Sequence, residues 1–159
     1  MMQNNKVIRE HLLDLLIGEG AHVNFEGAVK DLAPELRGKR PEGGAHSPWE
    51  VLEHMRIAQW DILEYTRNPQ HVSPEFPRGY WPDSQAPASE AAWGESADAF
   101  RKNLQEIAGL VADESADLLA AIPHADGKTI LREVLLVADH NAYHLGEMVM
   151  LRRSLGAWG

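Results

Sequence analysis

The sequence predicts an all-α protein, a four-helix bundle with one short extra helix and a long proline-rich loop. Three observations lead there. Four segments repeat apolar residues at helical spacing between capping residues, no segment alternates with period two or places a hairpin turn between β-branched runs, and no internal repeat is visible. The length of 159 residues is that of one domain, so residues 1–159 are expected to share one core.

Ile8, Leu12, Leu15 and Leu16 recur at helical spacing until Gly18-Glu19-Gly20, which predicts a first helix over residues 5–17 with these side chains inward. Asn24 can cap a short helix with Ala28, Val29 and Leu32 on its apolar side, before Pro34 and the Gly/Pro-rich run 38–44 break the chain. Ser47-Pro48-Trp49-Glu50 has the form of a helix start: serine as cap, proline at the first position, glutamate at the third. That helix should run to about Arg67, where Asn68-Pro69 ends it. Residues 68–88 contain Pro69, Pro74, Pro77, Pro82 and Pro87 with Phe76, Tyr80 and Trp81 between them, a composition hostile to helix and strand. A loop this long in so small a domain is either a lid or binding segment or a passive connector. The third long helix starts near Ser89 and carries Trp93, Phe100, Leu104, Ile107 and Val111 toward Leu118 and Leu119. After a turn at Pro123 and Gly127, Thr129 caps a fourth long helix from Ile130 to about Leu155, with Gly156 as its stop.

Composition narrows the function. With 44% hydrophobic and 25% charged residues the chain should fold, and its net charge of −9 sets a repulsive field against DNA or RNA, so no nucleic-acid partner is expected. The absence of cysteine excludes disulfides, a thiolate nucleophile, Fe–S clusters and Cys-type zinc sites, so any metal must use His, Asp or Glu. Met1 to Glu10 is polar, without the apolar core of a signal peptide, and no stretch approaches the roughly 18 apolar residues of a membrane span. A cytoplasmic protein without a membrane partner is expected.

His140 and His144 share a helical stripe with Val137, Met148, Leu151 and Leu155, so both imidazoles should point into the bundle. Two rings one turn apart can hold one metal ion together; they can equally be buried neutral histidines bonded to neighbouring helices. A third ligand must come from another helix. His54 sits at the edge of the stripe formed by Val51, Met55, Ala58 and Ile62, with Glu50 and Asp61 along the same border. Three imidazoles would form a neutral site for a divalent cation with one or more positions open. Glu147, three residues after His144, is a candidate fourth ligand, base or outer acceptor for a ring N–H, with a solvated glutamate as the alternative. His11, His22, His46, His71 and His124 are expected on the surface, although the connectors carrying His22 and His46 could fold back over the bundle mouth.

The segments Ser47-Pro48-Trp49-Glu50-Val51-Leu52-Glu53-His54 and Asp139-His140-Asn141-Ala142-Tyr143-His144-Leu145-Gly146-Glu147, followed by Leu151-Arg152-Arg153, resemble the DinB-like (DinB/YfiT) superfamily of metal-dependent proteins. Helix order and length agree over nearly the whole chain. The resemblance implies a four-helix bundle binding zinc, nickel or a similar divalent ion, with iron and manganese as further candidates, through His54, His140 and His144. Characterised relatives include transferases and isomerases that use low-molecular-weight thiols. Glu147 stands where that family often has glutamine, which bears on the charge and coordination number of the site.

Two functions compete. In the first, a bound cation activates water or an external thiol toward a small electrophilic substrate, as a transferase or hydrolase, with Glu147 or Asp61 handling the proton and Trp49, Tyr80 and Trp81 lining or covering an apolar pocket. Plain core packing is the alternative for the tryptophans. In the second, the protein is a non-catalytic, stress-related metal binder whose ion cross-ties two helices. Leu131, Leu135, Ala138, Ala142, Leu145 and Val149 give the fourth long helix a second apolar face, which predicts a homodimer, with burial beneath other helices as the alternative.

Overall fold

The computed structural model describes residues 2–18 and 20–158, with side chains from residue 5 onward. Glu19, in the break after the first helix, lies outside the described residues. The order is α1 (Met2–Ile17), α2 (Phe25–Val29), a 3-10 turn at Pro34–Leu36, α3 (Pro48–Arg67), a second 3-10 turn at Arg78–Tyr80, α4 (Glu90–Ala112) and α5 (Ile130–Ser154). The described residues contain no strand, only one isolated antiparallel bridge between Ala121 and Thr129. None of these helices is long and apolar enough to cross a membrane.

Helix starts follow local chemistry. Ser47 Oγ accepts from Glu50 N at 3.2 Å while Glu50 Oε2 accepts from Ser47 N at 2.8 Å, so α3 begins with a reciprocal capping box on top of Pro48. Asn24, Ser89 and Thr129 cap α2, α4 and α5 through single side-chain bonds to Gly27 N, Ala92 N and Arg132 N. Gly156, at φ +70°, turns the chain out of α5, a conformation that glycine adopts without steric cost.

Two sequence expectations need correction. The third long helix does not reach Leu118 but stops at Ala112, because Asp113 accepts from Ser115 N and Asp117 accepts from Leu119 N, local bonds that compete with the helical ladder. The inward face of α1 is also rotated. Ile8 and Leu15 are exposed, while Arg9, Leu12, Leu13 and Leu16 turn inward or half-inward. Buried Arg9 donates to Val111 O and Ala116 O, at and just beyond the C-terminus of α4, where helix carbonyls favour a cation. That anchor outranks the apolar periodicity.

The core consists of two apolar clusters stacked along the bundle. One joins Phe25, Leu32, Trp49, Leu52, Met55, Trp93, Phe100, Met148 and Leu151. The other joins Leu12, Leu63, Ile107, Val111, Leu118, Val134 and Val137. Gln59 and Asn141 form a polar tie between α3 and α5: Asn141 Nδ2 donates to Gln59 Oε1 and Gln59 Nε2 donates to Phe100 O, both at 2.8 Å. Of the second apolar face of α5, Leu145 is buried, Leu131, Ala138, Ala142 and Val149 are half-buried, and Leu135 is exposed, with α1 and α2 both packing on α5.

The proline-rich loop folds back along α3. Ser47 Oγ donates to Gln85 O at 2.6 Å and Trp49 Nε1 donates to Ser84 Oγ at 3.2 Å. Trp49, a candidate pocket residue, is thus a core side chain with one polar tip satisfied.

Candidate metal centre

α3 and α5 pack against each other and bring three imidazoles from two helices to one point. His54 Nε2 lies 3.1 Å from both His144 Nε2 and His140 Nε2, and the ligand atoms of His54, His140 and His144 all fall within 4.8 Å of one another. The spacing of His140 and His144 places them one above the other on α5, while His54 reaches the same point from α3.

The outer contacts decide how these rings are oriented. His54 Nδ1 donates to Tyr80 O at 2.8 Å, and His144 Nδ1 donates to Glu147 Oε2 at 2.8 Å. A carbonyl can only accept, so His54 carries a hydrogen on Nδ1 and, as a neutral ring, presents a lone pair at Nε2; the Glu147 carboxylate likewise takes the Nδ1 hydrogen of His144 and leaves its Nε2 facing His54. A separation of 3.1 Å suits either a shared proton or a shared metal ion between the two Nε2 atoms. Glu147 Oε1 also accepts from His46 Nδ1 at 2.8 Å, so one carboxylate bridges a candidate ligand and a histidine from the connector before α3.

Burial, with His144 and His54 beside it, pushes His140 down to about 4, and burial foremost also lowers His54 against the opposing bond to Tyr80 O. Both shifts favour neutral rings, the form that donates a lone pair to a metal. The His144 bond outweighs burial at Glu147 and, with His46, holds its carboxyl below the usual range, so it stays anionic beside the three rings. Trp81 lies flat on His54, with centroids 4.0 Å apart at 4°, and its ring also stacks on His46 at 4.0 Å. The proline-rich loop therefore forms one wall of the centre.

A family model described as the DinB superfamily matches residues 19–148. The chain belongs to the DinB superfamily. The match includes His54, His140, His144 and Glu147, and comparison with curated proteins and with solved structures finds no match. Membership and the three-histidine group are together compatible with a divalent-metal site in this DinB-superfamily chain.

The remaining candidates divide. Asp61 is not among the converging ligand atoms: its Oδ1 accepts from His71 Nε2 at 2.7 Å and its Oδ2 accepts from Tyr80 Oη at 2.6 Å. Burial and the neighbouring Asp61 push the Tyr80 phenol up to about 12, so it remains a donor. His71, expected on the surface, has a side chain only 7% exposed, and His46, also expected there, is half-buried against Glu147 and Trp81. His11, His22 and His124 are exposed as expected. The usable signal for His46 was its place next to the Ser47 cap, which ties it to the start of α3; nothing local marked His71 as the partner of Asp61.

Proposed function

We propose that this DinB-superfamily protein binds a divalent cation, zinc or nickel by the nitrogen-only donor set, through Nε2 of His54, His140 and His144, and that it is a metal-dependent transferase or hydrolase. The observation that carries this is the pair of outer acceptors, Tyr80 O and Glu147, which turn ring hydrogens outward and leave lone pairs converging at 3.1 Å. Tetrahedral coordination at the usual zinc–nitrogen length needs ligand nitrogens about 3.3 Å apart, close to the 3.1 Å that separates His54 Nε2 from each of the other two rings. When bound, the cation would lower the pKa of a water or thiol in an open position toward neutrality.

The chain's own groups supply the surroundings. Glu147 fixes His144 and is a carboxylate near the centre able to hold a proton delivered through His46. Trp81 covers one side of His54 and excludes water there. With no cysteine in the chain, a thiol nucleophile would come from outside it, and low-molecular-weight thiols of the kind that the family resemblance implies would be joined to a small electrophile.

A structural ion is the competing reading. Against it, α3 and α5 are already joined by an apolar cluster and by the Gln59–Asn141 bond, so they do not need a metal to pack. Metal analysis of untagged protein beside His54→Ala and His144→Ala tests binding, and a thiol-conjugation screen of the loaded protein tests catalysis. One bound ion in the wild type, lost in both variants, with turnover that a chelator abolishes, is expected. Wild-type protein without metal overturns the site, and a metal-stripped protein that unfolds supports the structural ion.

A further inference from the structure

We infer that Asp61 is a positioning residue for the metal centre, acting on His54 through Tyr80. Asp61 lies on α3 two turns beyond His54, and its side chain is buried. A buried carboxylate is costly unless its oxygens are satisfied, and both partners of this one come from the proline-rich loop: His71 at 2.7 Å and the Tyr80 hydroxyl at 2.6 Å. One side chain on a rigid helix therefore grips the loop at two points nine residues apart.

The second of these points bears on the centre. Tyr80 is the residue whose carbonyl receives the Nδ1 hydrogen of His54, and the next residue, Trp81, lies flat on the His54 ring. Where Asp61 holds the Tyr80 phenol, the backbone of the Arg78–Tyr80 turn follows, and so do the acceptor and the aromatic wall that set the ring's plane and hydrogen position. Apart from the stacking of Trp81, apolar burial does little to hold this part of the loop. Val72 and Phe76 are 85% and 84% exposed, which leaves polar anchors such as Asp61 to fix it. Glu147 orients His144 directly, whereas Asp61 orients His54 at one remove. His71 serves as the second grip on the carboxylate and is itself met edge-on by Trp60.

The consequence for affinity rests on the metal reading, but the orientation of the His54 ring does not, and the two are separable in one experiment. Nitrogen-15 NMR of histidine rings in the metal-free protein, followed by a zinc titration against a competing chelator, is applied to wild type, Asp61→Asn and Tyr80→Phe. Tyr80→Phe removes a single oxygen from a half-buried ring and keeps the test valid should Asp61→Asn fail to fold. In the wild type His54 is expected as the Nδ1–H tautomer. In both variants that tautomer should give way to a mixture, and zinc affinity should weaken by about ten- to a hundredfold, the usual cost of losing an outer partner. Variants that keep the wild-type tautomer overturn the inference, whatever their zinc affinity. A tautomer that responds to the variants in a protein that takes up no zinc upholds the positioning role and overturns the metal reading instead.

Discussion

Removing the Glu147 carboxylate tests how the second acceptor works. It accepts two ring hydrogens at once, from His144 and His46, each at 2.8 Å. Glu147→Ala removes both bonds and the negative charge, so His144 loses the contact that sets its tautomer. A lost outer acceptor weakens metal binding by about ten- to a hundredfold, and because a charge is lost with it we expect the upper end, about 2.7 kcal/mol. Glu147→Gln keeps one acceptor oxygen but turns an amide N–H₂ toward the other ring N–H, so one of the two bonds survives and the loss should be about tenfold, about 1.4 kcal/mol. His46→Ala spares the His144 bond and should cost less than about fivefold. Competition titration with a chromophoric chelator at neutral pH reads all three, with thermal melting of the metal-free proteins as a folding control. An affinity for Glu147→Ala within about twofold of wild type would refute the assignment of the carboxylate as the group that orients His144.

Phe100 is 1% exposed and stacks on Phe25 at 4.0 Å, so Phe100→Ala should lose about 3–5 kcal/mol in urea unfolding, and a loss below about 1 kcal/mol would contradict the packing. Burial opposes ionisation of Glu50, but Arg40 and the Ser47 bonds outweigh it and hold the carboxyl below its ordinary range. The folded protein then binds fewer protons than the unfolded chain, so this stabilisation is present at neutral pH and lost as pH falls through the carboxylate range. Glu50→Gln should therefore cost about 1–2 kcal/mol at neutral pH and much less near about pH 3, and a pH-independent difference would refute the pairing. Light scattering at micromolar concentration should return twice the monomer mass if the half-buried face of α5 pairs with a second copy, and a monomer refutes that proposal.

How far the centre was legible depended on how local each signal was. Ser47-Pro48-Trp49-Glu50 could be read because a capping box is complete within four residues, and His140 with His144 because one helical turn brings them together. His54 stood only at a stripe edge, since its inward turn depends on a loop carbonyl 26 residues away. His46 and His71 lie in connectors, where periodicity says nothing about direction. The end of α4 did carry a local signal, the Asp113, Ser115 and Asp117 turn residues, which the apolar run toward Leu118 obscured; Leu118 is buried all the same, from outside the helix.

Sequence alone determined the helices, the caps of α2 to α5, the exclusion of sulfur ligands from cysteine and the two ligand candidates one turn apart, because composition or residues within about a turn of one another decide each of these. Tertiary structure decided the face that α1 turns inward, the convergence of His54 with α5, and the placing of Glu147 and Asp61 in outer contacts. These are set by bonds between residues distant in the chain, such as Arg9 with the end of α4 and Asp61 with Tyr80, whose geometry exists only after the helices have packed.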